Sequence, residues 1–253
     1  MGRPKRHRMG QNFLVDREIA ERIVGALSDE PPQVLEIGPG RGALTEYLLE
    51  RFESVLALEL DENLVPQLQQ RFGDHGLEVR IADALREDLD TLRAESPWQV
   101  AANLPYSVGT AILRRLMPRH DLFTRLVVML QREVAHRVVA TPGGSGHGLL
   151  ALERAAWGEA QLLFDVPPRA FRPVPKVVSS VLVVDLRPPA FDPGAIAAGL
   201  ALAAHALTKP RKMLNNAVAP LRDAVAIVGA GLDPAQRPGT VNLEGWILLA
   251  GQS

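Results

Sequence analysis

The sequence predicts an α/β fold, in which a mostly parallel sheet is followed by a small all-helical domain. Three observations support this prediction. Short apolar runs alternate with amphipathic stretches through the first half of the chain, as strands and helices do in a parallel sheet. A glycine-rich turn follows the first apolar run, and acidic residues follow the next two. Beyond Pro188 and Pro189 only short helical patterns remain.

Residues 33–45 are the centre of this prediction. An apolar strand leads into Gly38, Gly40 and Gly42, and an amphipathic helix continues from there. Glycines let the backbone turn sharply and leave room for a ligand, while the helix start directs N–H groups and its positive dipole end into the same space. This arrangement is typical of a nucleotide-type site in a Rossmann-like sheet, although a tight strand-to-helix turn also needs glycines without any ligand.

Acidic residues follow the second and third strands. Glu59 ends the apolar part of the run 55–61. It lies ~20 residues beyond the glycines, where a ribose-binding acid is expected. The third run, 77–81, is followed by Asp83. Because the carboxyl ends of parallel strands share one edge of the sheet, both acids are expected to line one crevice.

The residues around the glycines favour one class of ligand. A dinucleotide would place its pyrophosphate at the glycine turn, but the acidic Glu36 and the inserted Pro39 disfavour a dianion there. A zwitterionic or cationic ligand fits better. We therefore expect S-adenosylmethionine, with its amino-acid tail and sulfonium.

A second decisive stretch follows the short fourth strand, 98–102. Pro105 rules out a helical backbone at Leu104, so carbonyl groups stay exposed. The Asn103 side-chain oxygen and the Leu104 carbonyl are suited to accept hydrogen bonds from an exocyclic amino group, and Tyr106 offers a flat face for a base. Such a run is otherwise an ordinary turn, but its place beside the predicted crevice favours the functional interpretation.

Composition narrows the class of protein. Of 253 residues, 47% are hydrophobic and 23% charged, as in ordinary globular proteins. No apolar run reaches the ~20 residues of a membrane helix, and no apolar signal core follows the basic N-terminus. The absence of cysteine excludes disulfides, thiolate zinc sites and cysteine nucleophiles. We expect a cytoplasmic protein with no metal site and no membrane partner.

Two basic clusters flank the predicted cofactor domain. The first contains Arg3, Lys5, Arg6, His7 and Arg8, and the second contains Lys209, Arg211 and Lys212. The net charge is only -1. A lone cluster of this kind is more often a solvated patch, but two of them favour a phosphate-backbone partner.

Motifs along nearly the whole chain resemble the ribosomal RNA adenine N6-dimethyltransferase family. They are Gln11-Asn12-Phe13-Leu14, Glu36-Ile37-Gly38-Pro39-Gly40, Glu59-Leu60-Asp61, Asp83-Ala84, Asn103-Leu104-Pro105-Tyr106, residues 129–134, Val166-Pro167-Pro168, residues 171–177 and Gly231-Leu232-Asp233-Pro234. The last motif and residues 171–177 are more similar to the small-subunit (16S) enzymes than to the macrolide-resistance enzymes that act on large-subunit RNA.

The resemblance implies an S-adenosylmethionine-dependent methyltransferase that dimethylates two adjacent adenines near the 3′ end of small-subunit rRNA, within a partly assembled 30S subunit. It implies a monomer in which Asn103 and Leu104 hold the target amine, while Tyr106 and Phe171 stack on the base. The cofactor-binding residues that it implies are Gln11, Asn12, Leu14, Glu36, Gly38, Gly40, Glu59, Leu60, Asp83, Ala84 and Asn103. The RNA-binding residues are Arg6, Arg8, Lys176, Arg211 and Lys212.

The cofactor roles divide among these residues. The resemblance assigns the ribose to Glu59, the adenine amine to Asp83, and the methionine end to Gly38, Asn12 and Leu14.

The remaining elements follow from periodicity and from helix-capping signals. Predicted helices are 17–27 with Asp16 as the N-cap, 43–51, 62–72, 85–92, 133–140, 192–206, 213–218, 221–228 and 243–250 with Asn242 as the N-cap. Further predicted strands are 126–130 and an antiparallel pair, 159–166 and 177–186. The glycine-rich loop 141–148 is either a connector or a mobile element over the substrate. The predicted domains are 1–187 and 188–253.

The chain departs from the family pattern at two places. Lys209-Pro210 replaces a usual Gln-Arg, and His147-Gly148-Leu149 replaces a more usual Tyr-Gly-Arg, which puts RNA contacts in doubt but not the reaction. Three alternatives remain: action on large-subunit rRNA, a mainly non-catalytic ribosome-assembly factor, or an NAD-dependent oxidoreductase. The last is disfavoured because no hydride-transfer site accompanies the glycines.

Overall fold

The computed structural model describes residues 12–95 and 97–252. These residues form nine β-strands: β1 (Phe13–Leu14), β2 (Gln33–Ile37), β3 (Ser54–Glu59), β4 (Leu77–Ile81), β5 (Trp98–Asn103), β6 (Phe123–Gln131), β7 (Gly158–Val166), β8 (Phe171–Arg172) and β9 (Ser179–Leu186).

The same residues form ten α-helices: α1 (Arg17–Gly25), α2 (Thr45–Arg51), α3 (Val65–Phe72), α4 (Gly109–Leu116), α5 (Arg132–Val139), α6 (Leu149–Trp157), α7 (Pro193–Leu207), α8 (Leu214–Val218), α9 (Ala224–Gly229) and α10 (Leu243–Ala250). In this part of the chain, no helix combines the length and apolar character that crossing a membrane requires.

Seven strands form one sheet in the order β4-β3-β2-β5-β6-β9-β7. The pairs among β4, β3, β2, β5 and β6 are parallel. The chain runs outward from β2 through β3 to β4, and then returns to β5 on the other side of β2. The direction of winding therefore reverses between β2 and β5, and the carboxyl ends of strands at such a reversal form the ligand crevice of a Rossmann-like sheet.

The central strands are buried on both faces. Val34 and Leu35 of β2 and Val100 and Ala101 of β5 have no exposed surface. Strands of this kind are continuous apolar runs rather than alternating ones, which is why the sequence predicted them closely.

Other elements differ from the prediction. A two-stranded antiparallel sheet pairs Phe13 with Arg172 and Leu14 with Phe171, and neither strand was predicted from the sequence. Helices α4 and α6 were not predicted, and the expected helix 85–92 is a 3-10 turn, Leu89–Glu95. The pairing of β1 with β8 joins segments far apart in the chain, so no local pattern indicated it.

Two predicted helix N-caps are confirmed. The Asp16 carboxylate accepts a hydrogen bond from the Ile19 N–H (3.3 Å), and the Asn242 amide oxygen accepts one from the Gly245 N–H (2.8 Å). Each bond satisfies a backbone donor that the first turn of a helix leaves without a partner.

The chain divides into two compact units. The first comprises the described residues up to Arg132 together with Leu163–Val183, and the second comprises Glu133–Leu162 together with the described residues from Val184 onward. The second unit has its own apolar core around the fully buried Trp246. The second unit thus adds residues 133–162 to the predicted helical domain, whose boundary at 188 stays a prediction.

A buried hydrogen bond joins the two elements that flank the glycine loop, residues 38–42. The Thr45 hydroxyl, at the start of α2, donates to the Glu36 carboxyl in β2 across 2.6 Å, and both side chains are buried. Burial raises the pKa of Glu36 to about 8, while the hydrogen bond from Thr45 lowers it and the neighbouring Glu59 raises it. Glu36 is therefore protonated at neutral pH.

The glycine loop also packs tightly against its neighbours. Gly42 has φ of 84°, and a Cβ there would lie 2.4 Å from the Phe72 ring of α3. Gly40 has φ of 60°, and a Cβ there would lie 3.0 Å from the Phe13 ring. Glycine is thus required at both positions by conformation and by space.

We expect Gly42→Ala to lower the free energy of unfolding by about 1–3 kcal/mol, because the new methyl group would displace Phe72 and strain a left-handed backbone. Gly25→Ala is the matched control, since no heavy atom lies within 4 Å of the added carbon. Urea denaturation of both variants measures the difference. Equal stability of the two variants would contradict this packing.

Glu36→Gln tests whether Glu36 keeps its proton. Because its pKa is raised from 4.5 to about 8, the folded protein holds a proton that the unfolded chain releases within this window. The free energy of unfolding of the wild type should therefore fall as the pH rises through the window, relative to Glu36→Gln, by on the order of 1.4 kcal/mol per pH unit.

The measurement is urea denaturation of both proteins at several values between about pH 5 and about pH 9. The difference should stop growing above a pH of about 8. Glu50→Gln, at an exposed position of α2, is the control and should show no such trend. Parallel curves for wild type and Glu36→Gln would mean that Glu36 is ionised in the folded protein.

Candidate active site

One cavity lies at the carboxyl ends of β2, β3, β4 and β5. Its lining is largely apolar with a few convergent polar groups, as is typical of a small-molecule site. The cavity is lined by most of the residues predicted to bind cofactor or base: Asn12, Leu14, Glu36, Gly38, Gly40, Glu59, Leu60, Asp83, Ala84, Asn103, Leu104 and Tyr106.

Gly38 opens the glycine loop directly after β2. Its φ is 68°, and its N–H donates to the Leu58 carbonyl of β3 (2.9 Å). No heavy atom lies within 4 Å of the position a Cβ would occupy. Packing therefore leaves open space above this glycine, as expected where a ligand approaches the backbone.

Glu59 is a buried carboxylate held in place by two backbone donors. One oxygen accepts from the Gly40 N–H (3.0 Å), and the other accepts from the Asp61 N–H (2.8 Å). Each carboxylate oxygen has a further lone pair, so Glu59 can hold the loop and still accept ribose hydroxyls. Its exposed fraction is only 3%.

Asp83 is the corresponding acid after β4, and its side chain is more open, with 35% exposed. One carboxylate oxygen accepts from the Leu85 N–H (3.0 Å), and the other lies 3.7 Å from the Arg86 guanidinium. The partly exposed side chain of Leu60 lies on the same cavity wall. An acceptor next to an apolar surface suits an adenine and its amino group.

Asn103 ends β5 and lies opposite the glycine loop across the strand-order reversal. Its side-chain nitrogen donates to the Asn12 carbonyl (3.4 Å). Since a side-chain amide carries its oxygen on the other branch, this bond leaves Oδ1 as an acceptor. The Leu104 N–H donates to the Met129 carbonyl (3.2 Å), while its own carbonyl receives no hydrogen bond from any described residue.

Tyr106 contributes a half-buried ring to the cavity wall. Its hydroxyl forms a 2.6 Å hydrogen bond with the Ser179 hydroxyl at the start of β9. Burial raises the pKa of Tyr106, and the bond to Ser179 lowers it. The phenol is therefore neutral, and its ring is anchored at the hydroxyl end.

The structure corrects the expected geometry of Phe171. The ring is fully buried within the core of the first unit, and its backbone pairs with Leu14. It does not line the cavity with Tyr106. The apolar ring is stabilised by burial in this core, so its stacking role remains a prediction that the observed position does not support.

The predicted RNA-binding residues lie in separate places. Lys176 is exposed in the first unit, and Arg211 and Lys212 are exposed in the second. Arg6 and Arg8, like the predicted cofactor residue Gln11, lie outside the described residues.

Lys209 and His147, two residues at which the chain departs from the family pattern, form hydrogen bonds within the second unit. The Lys209 ammonium lies 3.1 Å from the His205 imidazole and donates to the Ala217 carbonyl (3.3 Å), so its charge is directed within the protein. In loop 141–148, the Gly143 N–H and the His147 ring both contact the Gly239 carbonyl at 2.8 Å. These contacts attach the loop to the turn at Gly239.

Several residues that line the cavity have no role assigned from sequence, and two of them are in contact with each other. Arg41 and Phe13 line the cavity, and the Arg41 guanidinium lies 4.7 Å from the centre of the Phe13 ring. The signal that could have identified Arg41 is its place inside the glycine loop. Phe13 required knowledge of the β1–β8 pairing.

The polar groups and the open space of the cavity fit S-adenosylmethionine. The cavity offers carboxylates after β3 and β4, open space at Gly38 and a side-chain acceptor at Asn103. Glu36 is protonated, so it carries no negative charge against a dianion at the glycine loop, contrary to the expectation from sequence. No group of three or more potential metal ligands occurs among the described residues.

Comparisons with known proteins agree with this geometry. A family model described as ribosomal RNA adenine dimethylase matches residues 2–224. The ribosomal RNA small subunit methyltransferase A of Methylococcus capsulatus is 39% identical over 251 residues, which cover 98% of this chain and 97% of the relative. The protein of the same name from Syntrophotalea carbinolica is 37% identical over 249 residues, covering 96% and 94%.

Solved structures show the same fold. A dimethyladenosine transferase from Plasmodium falciparum matches with a TM-score of 0.75 at 21% identity, covering 94% of this chain and 95% of that one. The 23S rRNA methyltransferase ErmE matches with a TM-score of 0.73 at 24% identity, covering 94% and 98%. The Rossmann-like fold predicted from sequence is confirmed.

The family match covers most of the chain, and the curated relatives are similar over nearly its full length. The predicted resemblance is thereby confirmed. The chain belongs to the ribosomal RNA adenine dimethylase family and is an S-adenosylmethionine-dependent methyltransferase.

Proposed function

We propose that this enzyme transfers methyl groups to N6 of adenine, twice per base, on two adjacent adenines near the 3′ end of small-subunit rRNA. The relatives named small subunit methyltransferase A, at 37–39% identity, support this choice of subunit. The modification would take place during maturation of the small subunit.

The observation that carries the proposal is the meeting of two sets of residues at one strand-order reversal. Gly38 and Glu59 lie on one side, and Asn103, Leu104 and Tyr106 lie on the other, along one cavity. A cofactor site and an amine-binding site thus share a wall. Orientation of two bound reactants is a large source of rate in group transfer.

Each residue has a defined task in the proposed reaction. Gly38, Glu59 and Asp83 would hold the methionine end, the ribose and the adenine of S-adenosylmethionine, which supplies an electrophilic methyl group on its sulfonium. The Asn103 oxygen and the Leu104 carbonyl would accept the two hydrogens of the target amine. This hydrogen bonding favours a tetrahedral nitrogen whose lone pair is no longer delocalised into the base.

The target adenine must be single-stranded or flipped out to reach these acceptors. Tyr106 would support it by stacking, which contributes ~1–3 kcal/mol per base. After attack, the positively charged nitrogen loses a proton readily to water or to the acceptors around it. The site therefore needs no strong general base.

The wider context is part of the same proposal. The enzyme would act as a cytoplasmic monomer on a partly assembled 30S subunit. Lys176, Arg211 and Lys212, together with Arg6 and Arg8, would contact phosphates.

Asn103→Ala should lower transfer of radiolabelled methyl groups to undermethylated small subunits by at least about 100-fold, the usual effect of losing one aligned polar group at a reacting centre. Asn216→Ala, at an exposed position on α8, is the matched control. Normal transfer by Asn103→Ala would refute the role of Asn103. Label on large-subunit RNA with wild-type enzyme would refute the choice of subunit, and RNA binding without transfer would favour an assembly factor.

Substitutions of Tyr106 separate its ring from its hydroxyl. Tyr106→Phe keeps the stacking face and loses only the bond to Ser179, so kcat/KM should stay within about 5-fold of wild type. Tyr106→Ala should lower it by about 10- to 100-fold through lost stacking. Steady-state kinetics on the same subunits makes the comparison. An equal loss in both variants would show that the hydroxyl, not the ring, matters.

A further inference from the structure

Arg41 brings a positive charge to the wall of the active-site cavity. It is an exposed residue of the glycine loop. Among the described residues that line the cavity, Arg41 is the only cation, whereas Glu36, Glu59 and Asp83 are acids. Its charge is therefore a distinct feature of the ligand environment.

The Arg41 side chain is held over the cavity wall by Phe13. The guanidinium lies 4.7 Å from the ring centre, and the same ring packs against Gly40. The Arg41 carbonyl accepts a 3.5 Å hydrogen bond from the Arg71 guanidinium. Both the backbone and the head group of Arg41 are thus placed before any ligand binds.

A guanidinium that packs against a ring keeps N–H donors along its edge, and these match the two oxygens of a carboxylate or phosphate. None of the ion pairs between described residues involves Arg41. The donors of Arg41 are consequently available to an anionic group in the cavity.

We propose that Arg41 binds the carboxylate of the methionine end of S-adenosylmethionine and selects for a cofactor with that group intact. The inference rests on the proposed function. The cofactor carries a sulfonium, an ammonium and one carboxylate. Its only anionic group, the carboxylate, would pair with Arg41, the only cation among the described residues that line the cavity. Arg41 also follows Gly38 and Gly40 in the loop, on the side of the cavity assigned to the methionine end.

Isothermal titration calorimetry without RNA tests this assignment. The ligands are S-adenosylhomocysteine and its decarboxylated analogue, which differ only by the carboxylate. Arg41→Met keeps an unbranched side chain over Phe13 and removes the charge. It should bind S-adenosylhomocysteine about 10- to 100-fold more weakly than wild type, as loss of a charge-assisted pair predicts, and should bind the analogue within about 2-fold of wild type.

Arg22→Met is the matched control, because the Arg22 guanidinium also lies over a ring, 3.8 Å from the centre of Phe164, but does not line the cavity. It should leave both affinities unchanged. Arg41→Lys keeps the charge without the planar fork and should recover part of the affinity for S-adenosylhomocysteine.

Three results would overturn the proposal. If Arg41→Met binds S-adenosylhomocysteine as tightly as the wild type does, the proposal is refuted. If this variant keeps that affinity but binds RNA more weakly, Arg41 contacts phosphate instead. Equal weakening of both ligands would show that Arg41 only supports Phe13 and the loop. Failure of the wild type to bind S-adenosylhomocysteine is a separate outcome, because it would contradict the proposed function itself.

Discussion

The hydrogen bond from the Gly40 N–H to the buried Glu59 carboxylate is the interaction on which the site depends. It joins the loop after β2 to the end of β3, while the Thr45–Glu36 bond joins β2 to α2. Glu36 and Glu59 are both buried, and Glu59 contributes to the raised pKa of Glu36. Glu36 therefore keeps its proton. With Glu59 accepting from the Gly40 N–H, the loop keeps the left-handed conformation that opens the cavity at Gly38.

Much of this arrangement could be predicted from the sequence because it is local. Continuous apolar runs identify buried parallel strands, and residues at the ends of such strands share one edge of the sheet. The sequence therefore predicts that Glu59, Asp83 and Asn103 share one crevice, and all three line the cavity. Their exact contacts with ligand stay predictions.

The parts that could not be predicted depend on contacts between distant segments. The pairing of β1 with β8 buries Phe171 and brings Phe13 beneath Arg41, so one long-range pairing removes one expected stacking ring and creates an unexpected cation–ring pair. Lys209 is similar, because its partly buried ammonium contacts His205 and Ala217 within its own unit. Propensity and spacing carry no information about such partners.

In the proposed reaction, one cavity holds both the methyl donor and the target amine across the strand-order reversal. A crystal structure of the protein with S-adenosylhomocysteine and adenosine tests this most directly. We expect S-adenosylhomocysteine to lie along Gly38, Glu59 and Asp83, with the adenosine N6 within hydrogen-bond distance of the Asn103 side-chain oxygen and the Leu104 carbonyl. Adenosine bound away from these two acceptors, with the cofactor product in place, would contradict it.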